Sequence, residues 1–242
     1  MNNSPTDIEF LACDSLEDDE KGFVNPGLHV ITIAVVQYPG SSHLNEFRML
    51  EDIPGVRLVW VRNQAALADV KTADCIVLPG SCAINSDLAW LRTLGLDRLV
   101  NAHATQGGAV LGICGGSQIL AEALIDLDSI DGNTAGLGLL SVVTRIEQSQ
   151  TAQPGSVQFN VTIGRWADLS NLKVAAREIH HRQTSPRADM AAAGNGALAV
   201  MLEGLAWQNT RGNVLGVSLH GLFENPDVLQ ALFLHADRSK PP

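Results

Sequence analysis

Hydrophobic and polar positions divide most of the chain into two kinds of segment. Short apolar runs rich in β-branched residues are typical of buried strands, and they occupy residues 29–36, 56–61, 74–78 and 109–113. Segments between them have helical spacing, at residues 45–53, 65–70 and 87–100. This alternation predicts an α/β fold with a mostly parallel central sheet.

The second half of the chain has shorter apolar runs. Strands are predicted at residues 138–144, 157–163, 197–202 and 214–219, followed by a closing helix at 226–236 with Pro226 in its first turn. Ser86 is expected to cap a helix beginning at Asp87. Residues 185–196, rich in Ala and Gly, predict a mobile surface connection. Residues 1–27 are polar and acidic and predict a linker or tail, which leaves residues 28–238 as one domain.

Charge and cysteine usage exclude several classes of protein. The 242 residues carry a formal net charge of −10, which argues against a nucleic-acid partner. No apolar run approaches the roughly 20 residues of a membrane span, and the start lacks the features of a signal peptide, so a cytoplasmic protein without a membrane partner is expected. The four cysteines have neither CxxC pairing nor zinc-site spacing, so neither a disulfide framework nor a metal site is expected.

A cysteine follows the strand predicted at residues 109–113. Cys114 precedes Gly115 and Gly116, and helical apolar spacing resumes at residues 118–125. Glycines allow backbone angles that a side chain forbids and let a substrate approach the main chain closely. Amides at a helix start stabilise a thiolate and an oxyanion. The pattern therefore predicts a strand-to-helix elbow that presents Cys114 as a nucleophile.

A histidine follows the last predicted strand. In a parallel sheet, Cys114 and His220 would both lie at the carboxyl edge, although they are far apart in the sequence. A Cys/His pair suits acyl transfer, because the imidazole takes the thiol proton and later protonates the leaving amine. The candidate oxyanion donors are the Gly115 N–H and an N–H of the Gly80–Ser81 turn, which follows the third strand.

The elbow also resembles a family signature. Gly112-Ile-Cys-Gly-Gly-Ser-Gln118 is similar to the G-x-C-x-G-x-Q nucleophile motif of class I glutamine amidotransferases. Further segments resemble the C-terminal glutaminase domain of cobyric acid synthases and their relatives, in the family's order over about residues 28–236: Ile76-Val-Leu-Pro-Gly-Ser81, Asp87-Leu-Ala-Trp-Leu91, Gly136-Leu-Gly-Leu-Leu140, Glu178-Ile-His180 and Leu219-His-Gly-Leu-Phe-Glu-Asn225.

The resemblance implies a three-layer, flavodoxin-like fold and a glutaminase. Such an enzyme hydrolyses glutamine through a γ-glutamyl thioester on Cys114 and passes ammonia to an ATP-dependent amide synthase, here one acting in cobalamin biosynthesis. No G-x-x-x-x-G-K-[ST] phosphate loop occurs in these residues. ATP and Mg²⁺ are therefore expected on a partner domain, with no cofactor on this chain. The acidic stretch near Cys13 is similar to the linker that joins the two domains in full-length relatives.

The sequence departs from the family at several positions. Class I enzymes generally have a Glu two residues after the histidine, where this chain has Leu222, although cobyric acid synthases also lack it. The group that orients His220 is thus not identified. Other departures flank the pocket and concern the acceptor and partner: Cys82 replaces a Lys, Ser117 and Arg177 replace aromatic residues, and Arg182 replaces a Gly.

Several roles stay open at this point. Gln118 either contacts glutamine or caps the elbow helix, and capping is the preferred interpretation. Glu178 either recognises a charged group, orients a histidine or forms a structural ion pair, and His180, like His181, either lines the pocket or belongs to a loop. Cys75 is expected in the core and Cys82 to be a spectator. Two alternative functions remain: a non-catalytic scaffold or regulatory relative, and a Cys-His hydrolase acting on another amide.

Overall fold

The apolar runs form a layered α/β structure. The computed structural model describes residues 30–127, 131–146, 153–179, 183–187, 189 and 196–234. Its strands, numbered in chain order, are β1 Ile31–Val36, β2 Ser41–Ser42, β3 Val56–Val61, β4 Cys75–Leu78, β5 Gly80–Ser81, β6 Ala109–Ile113, β7 Ala121–Asp126, β8 Thr134–Ala135, β9 Leu140–Ile146, β10 Gln153–Gln158, β11 Lys173–Ile179, β12 Gln183–Pro186, β13 Leu198–Ala199, β14 Ala206–Gln208, β15 Val214–Val217 and β16 Leu219–His220.

Short helices connect these strands. The α-helices of the described residues are α1 Arg48–Glu51, α2 Leu67–Thr72, α3 Ile84–Leu94, α4 Leu96–Thr105, α5 Gly115–Leu120 and α6 Pro226–Leu229. Turns of 3-10 helix lie at Leu44–Phe47, Gln64–Ala66, Gly164–Leu169, Leu202–Gly204 and Leu222–Glu224, and a π-helical turn follows α6 at Gln230–Leu234. No helix in the described ranges is long and apolar enough to cross a membrane.

The largest sheet is mostly parallel, as the sequence predicts. Within the described residues it has seven strands in the order β13-β14-β15-β6-β4-β1-β3. The five strands from β15 to β3 are parallel, and β14 and β13 extend the sheet in antiparallel fashion. The carboxyl ends of β15, β6, β4 and β1 therefore meet at one edge, where open α/β sheets bind ligands.

Hydrophobic clusters cover both faces of this sheet. Along β1, Ile33 and Val35 face a cluster that contains Phe47, whereas Ala34 and Val36 face the cluster that contains Leu88 of α3. Side chains of a strand alternate between faces, so each apolar run contributes to both layers. Burial of each such Leu, Ile or Phe side chain stabilises the fold by about 1.5–3 kcal/mol.

Smaller sheets place individual residues at the carboxyl edge. Strand β16 pairs antiparallel with β11, with His220 opposite Glu178. Strands β2 and β5 pair with Ser41 opposite Ser81. Another sheet, ordered β12-β9-β7-β8, continues the chain beyond α5. Residues 1–29 lie outside the described residues, as do most of residues 185–196.

The helix predicted at residues 118–125 is wrong in its bounds. Helix α5 begins at Gly115 and ends at Leu120, and the chain continues directly as β7. The carbonyls of Ile119 and Leu120 accept hydrogen bonds from the amides of Leu137 and Leu139. Residues 121–126 then pair with β9, so tertiary pairing overrides the local helical spacing.

The single helix predicted at residues 87–100 is also wrong. It divides into α3 and α4 at Gly95, whose φ of 71° lies in the left-handed region that favours glycine. Helix α3 begins at Ile84, so Ser86 lies inside it rather than capping it.

Two strand predictions in the second half are wrong in their bounds. Strand β10 ends at Gln158, and the region predicted as a strand at residues 197–202 contains only the two-residue β13 before a 3-10 turn. The predicted closing helix is divided between α6, with Pro226 in its first turn, and the π-helical turn.

Candidate active site

Cys114 lies at a strained turn between β6 and α5. Its backbone has φ 49° and ψ −109°, and its side chain is buried. Positive φ is rare for a residue with a side chain and is concentrated at functional sites. The expectation that the glycines adopt the unusual backbone angles is wrong: Gly115 and Gly116 are helical, and Cys114 itself has the positive φ.

The two glycines are required by close packing instead. A Cβ on Gly116 would lie 1.9 Å from the carbonyl oxygen of Leu78, and one on Gly115 would lie 2.4 Å from the backbone nitrogen of Ser81. Both neighbours are main-chain atoms that a side chain cannot displace cheaply. The absence of side chains therefore lets the elbow lie directly against the segment that follows β4.

His220 is held by a carboxylate from a distant part of the chain. Its Nδ1 lies 3.0 Å from Oε1 of Glu46, and the N–H of Gly221 donates to Oε2 of the same carboxylate at 3.1 Å. Both side chains are buried, with 2% exposure for Glu46 and 1% for His220. Glu46 belongs to the 3-10 turn that follows β1 and its loop. Glu46 is thus the group that orients His220, which the sequence did not identify. Leu222, at the position where class I enzymes generally have a Glu, is buried in the core.

Charges on both sides of His220 favour its protonated form. Burial lowers the pKa of His220, but hydrogen bonds to Cys114 and Glu46, together with the charges of these two residues, outweigh it and raise the pKa to about 10. The bond to Glu46 uses Nδ1, which leaves Nε2 for the sulfur of Cys114. An imidazolium between a thiolate and a carboxylate is the arrangement that activates a cysteine nucleophile.

A second histidine covers the ring of His220. The imidazole of His43 stacks on it with 3.9 Å between ring centroids and 29° between planes. His43 precedes the turn that carries Glu46 and has left-handed backbone angles, with φ 56°. His43 is exposed, and its stacked ring lies over one face of the buried imidazole of His220. Neither His43 nor Glu46 is among the site residues predicted from the sequence.

The candidate oxyanion donors lie beside the elbow. Ser81 stands opposite Ser41, and the neighbouring Cys82 N–H donates to the carbonyl of Gly40 at 2.9 Å. In an antiparallel ladder this pattern marks a non-hydrogen-bonded pair, so the Ser81 N–H points away from β2. The backbone nitrogen of Ser81 lies next to Gly115, given the 2.4 Å approach described above.

Gly80, the other residue of the turn, lies beside the base. A Cβ on Gly80 would be 3.0 Å from Cε1 of His220 and 2.5 Å from Oγ of Ser42. The structure therefore brings together the predicted residues Cys114, His220, Gly80, Ser81 and Gly115.

The remaining site predictions have different outcomes. Gln118 is buried in α5, and Cys114, not Gln118, occupies the N-cap position, where no side chain caps the helix. Capping by Gln118 is therefore wrong, and its buried Oε1 has no hydrogen-bond partner among the residues that the structure describes. The backbone of Glu178 lies opposite His220 in the β11–β16 ladder. His180 lies outside the described residues.

Residues that depart from the family pattern lie around this centre. Cys82 is exposed next to Ser81, whereas Cys75 is buried in β4 as predicted. Ser117 is buried, and a Cβ on Gly216 of β15 would lie 2.4 Å from its Oγ. Arg177 forms an exposed ion pair with Glu224 at 3.2 Å. Among the residues that the structure describes, no group of three or more His, Cys, Asp or Glu side chains could hold a metal ion.

Comparison with protein families decides the class of protein. The profile of the CobB/CobQ-like glutamine amidotransferase domain matches residues 32–228, which include the elbow, His220 and Glu46. The chain belongs to this family. Membership in the CobB/CobQ-like family confirms the predicted class of enzyme, a glutamine amidotransferase.

Curated relatives in this family are cobyric acid synthases. The chain is 59% identical to that of Polaromonas sp. strain JS666 over 201 residues, which cover 83% of this chain and 39% of the relative. It is 56% identical to that of Variovorax paradoxus over 202 residues, covering 84% of this chain and 41% of the relative. The CobB/CobQ-like chain thus spans about two fifths of the length of these relatives.

Solved structures share the fold at low sequence identity. PurLQS from Thermotoga maritima superposes with a TM-score of 0.60 and 21% identity, covering 85% of this chain and 99% of that chain. The glutaminase domain of Trypanosoma brucei CTPS with bound acivicin has a TM-score of 0.53 and 14% identity, covering 87% and 96%. These similarities confirm the α/β fold of the CobB/CobQ-like domain.

Proposed function

We propose that this chain is the glutaminase of a cobyric acid synthase-like amidotransferase. The observation that carries the proposal is the hydrogen-bonded series Glu46–His220–Cys114, which four adjacent parallel strand ends assemble beside Ser81 and Gly115. A nucleophile, a base and an orienting acid with nearby backbone donors support acyl transfer. The family supplies glutamine as the substrate.

The first half of the reaction releases ammonia. The Cys114 thiolate attacks the amide carbon of glutamine, and the carbonyl oxygen takes up the negative charge beside the N–H groups of Gly115 and Ser81. His220 gives the proton on Nε2 to the departing nitrogen as the C–N bond breaks. The products are ammonia and a γ-glutamyl thioester on Cys114.

The second half regenerates the enzyme. His220 takes a proton from water as the water oxygen attacks the thioester carbon, and the C–S bond breaks to give glutamate and the Cys114 thiolate. Glu46 holds the ring through Nδ1 in both halves of the reaction. The buried Oε1 of Gln118 lies one helical turn beyond Cys114 and has no partner within the described part of the chain, which supports a role in substrate contact.

The acceptor reaction is assigned to another domain. The cobyric acid synthases that the chain resembles are about twice its length. We assign ATP and Mg²⁺ to an ATP-dependent synthase partner, which uses the ammonia to amidate a carboxylate. The name of the relatives favours a corrinoid acceptor.

Glutamate formation from glutamine tests the proposal. The purified chain is assayed alone and together with the ATP-dependent synthase recovered from the same cells. Cys114→Ala should abolish turnover, whereas the matched variant Cys82→Ala, at an exposed thiol, should retain it. Hydrolysis that persists in Cys114→Ala would exclude the assigned nucleophile. A wild-type chain that stays inactive beside an active synthase would favour a scaffold or regulatory function.

A further inference from the structure

A second buried carboxylate lies outside the series Glu46–His220–Cys114. Asp87, in the first turn of α3, has 0% exposure. Its Oδ1 accepts the N–H of Gly40 at 2.8 Å, and its Oδ2 accepts the hydroxyl of Ser81 at 2.5 Å. Burying a carboxylate is unfavourable unless its oxygens are hydrogen-bonded. The two bonds join helix α3 to the loop after β1 and to the oxyanion strand β5.

We propose that Asp87 is a positioning residue that holds the Ser81 N–H in line with the developing oxyanion; this inference rests on the proposed glutaminase function. Asp87 does not touch the reacting atoms. It acts through the Ser81 side chain, whose Oγ also accepts the N–H of Ala83 at 3.1 Å. A hydroxyl bonded on both sides fixes the rotamer of Ser81 and hence the direction of its backbone.

Strand β5 needs such support because its own pairing is short. Strands β2 and β5 have two residues each and form a two-stranded sheet. A two-stranded ladder of this length is marginal without further contacts. The hydroxyl of Tyr38 donates to the carbonyl of Pro79 and holds the peptide that precedes Gly80. Asp87 supplies the corresponding hold on the far side of Gly80, at Ser81.

Helix α3 provides a fixed base for this contact. It has 11 residues, and Leu88 and Leu91 are fully buried against the sheet. A residue on a packed helix positions its partner more accurately than a residue on a loop. The carboxylate of Asp87 therefore holds strand β5 in a fixed position relative to the core.

The second bond of Asp87 reaches the segment that leads to Glu46. Gly40 approaches so closely that a Cβ there would lie 2.5 Å from Oδ2 of Asp87. The carbonyl of Gly40 also accepts the Cys82 N–H. One carboxylate thus ties β5 to the loop that continues into His43 and Glu46, so the oxyanion donor and the general base keep a fixed separation.

Asp87→Asn separates positioning from a general structural role. The amide keeps the volume and can still accept from Gly40, but its NH₂ cannot accept the Ser81 hydroxyl. It can only donate to Ser81 Oγ, which already accepts the Ala83 N–H, so the original direction of the bond is lost. Alkylation of Cys114 by iodoacetamide needs the thiolate and forms no oxyanion. The aldehyde of glutamate γ-semialdehyde instead adds to the thiolate and places a tetrahedral oxygen among the oxyanion donors.

We expect Asp87→Asn to weaken aldehyde affinity and lower kcat for glutamine about 10- to 100-fold, while KM and the alkylation rate change less than about two-fold. Gly40→Ala should give the same pattern by displacing the carboxylate. Ser81→Ala should give a smaller loss of aldehyde affinity and kcat. Ser81→Thr keeps the hydroxyl and should have values close to those of wild type. Asp69→Asn, at an exposed ion pair with Arg57, is the matched control and should change nothing.

Two outcomes would contradict the positioning role of Asp87. Unchanged aldehyde affinity in Asp87→Asn, or equal losses of affinity and alkylation rate in folded protein, would overturn the positioning role. If Asp87→Asn does not fold, Ser81→Ala and Ser81→Thr carry the same comparison. A wild-type chain that neither binds the aldehyde nor hydrolyses glutamine would instead refute the proposed function itself.

Discussion

Two buried carboxylates, Glu46 and Asp87, organise different halves of the site. Glu46 bonds the ring of His220, a group that ionises, and the amide of Gly221. Asp87 bonds the hydroxyl of Ser81 and the amide of Gly40, both of which stay neutral. The charge of Glu46 therefore acts on proton transfer, whereas Asp87 acts on geometry alone. Loss of charge should affect thiol reactivity on the first side and only transition-state stabilisation on the second.

Glu46→Gln should give the largest effect. The amide keeps the shape but removes the negative charge beside His220, so the imidazolium loses stabilisation and the ring its orientation. We expect glutamine turnover to fall about 10²- to 10⁴-fold, with the alkylation rate of Cys114 at about pH 7 falling in parallel. Steady-state kinetics and timed alkylation measure the two quantities. An unchanged alkylation rate would show that Glu46 does not act through His220.

Gly115→Ala should disrupt the oxyanion side of the site, which contains Ser81. The new methyl group would lie 2.4 Å from the backbone nitrogen of Ser81 and must displace strand β5. Loss of one oxyanion donor lowers turnover about 10²- to 10³-fold. The alkylation rate should fall far less than in Glu46→Gln, because Glu46 and His220 are untouched. Equal losses in both assays would contradict this division of the site.

The pH dependence of Cys114 alkylation tests the role of the Glu46 charge. With the pKa of His220 raised to about 10, we expect the ring to stay protonated between about pH 7 and about pH 9 and to favour the thiolate form of Cys114. The wild-type rate should therefore be nearly flat, whereas a free thiol with a pKa of about 8.5 reacts about twenty-fold faster at the upper pH. Removing the Glu46 charge lowers the pKa of His220, so Glu46→Gln should show a steeper profile. If the pH profiles of wild type and Glu46→Gln superimpose, the charge of Glu46 does not act on Cys114 through His220.

Arg177→Ala should have the smallest effect. The ion pair with Glu224 is exposed at both ends, and such pairs contribute about 0–1 kcal/mol to stability. Glutamine turnover should stay within about two-fold of wild type, and denaturant unfolding should show a small loss of stability. A large fall in turnover would place Arg177 in the substrate site instead of at its rim.

Local signals were sufficient for the strands and the reacting pair. Strands β3 and β6 have the predicted bounds, because their mostly apolar runs begin directly after the turn residues Pro54-Gly55 and Gly107-Gly108. Cys114 and His220 could be placed together because both follow strands of a parallel sheet. The predicted end of the elbow helix failed because the pairing of β7 with β9 depends on residues distant in the sequence.

The two carboxylates could not be predicted in the same way. Glu46 lies 174 positions from His220, in a 3-10 turn without a distinctive local pattern. The available signal was its place in the loop after the first parallel strand, which ends at the same edge as β4 and β6. Asp87 resembled an ordinary acidic residue in the first turn of a helix, and its contacts with Gly40 and Ser81 emerge only in three dimensions.

Labelling with a glutamine-analogue chloroketone tests the central claim most directly, because it reports both the nucleophile and the recognition of glutamine. After digestion, mass spectrometry should find the label on the peptide containing Cys114, and glutamine should protect that thiol from labelling. The exposed Cys82 should stay largely unmodified at low reagent concentration. An unlabelled Cys114 that still reacts rapidly with iodoacetamide would contradict glutamine specificity and indicate a Cys-His hydrolase for another amide.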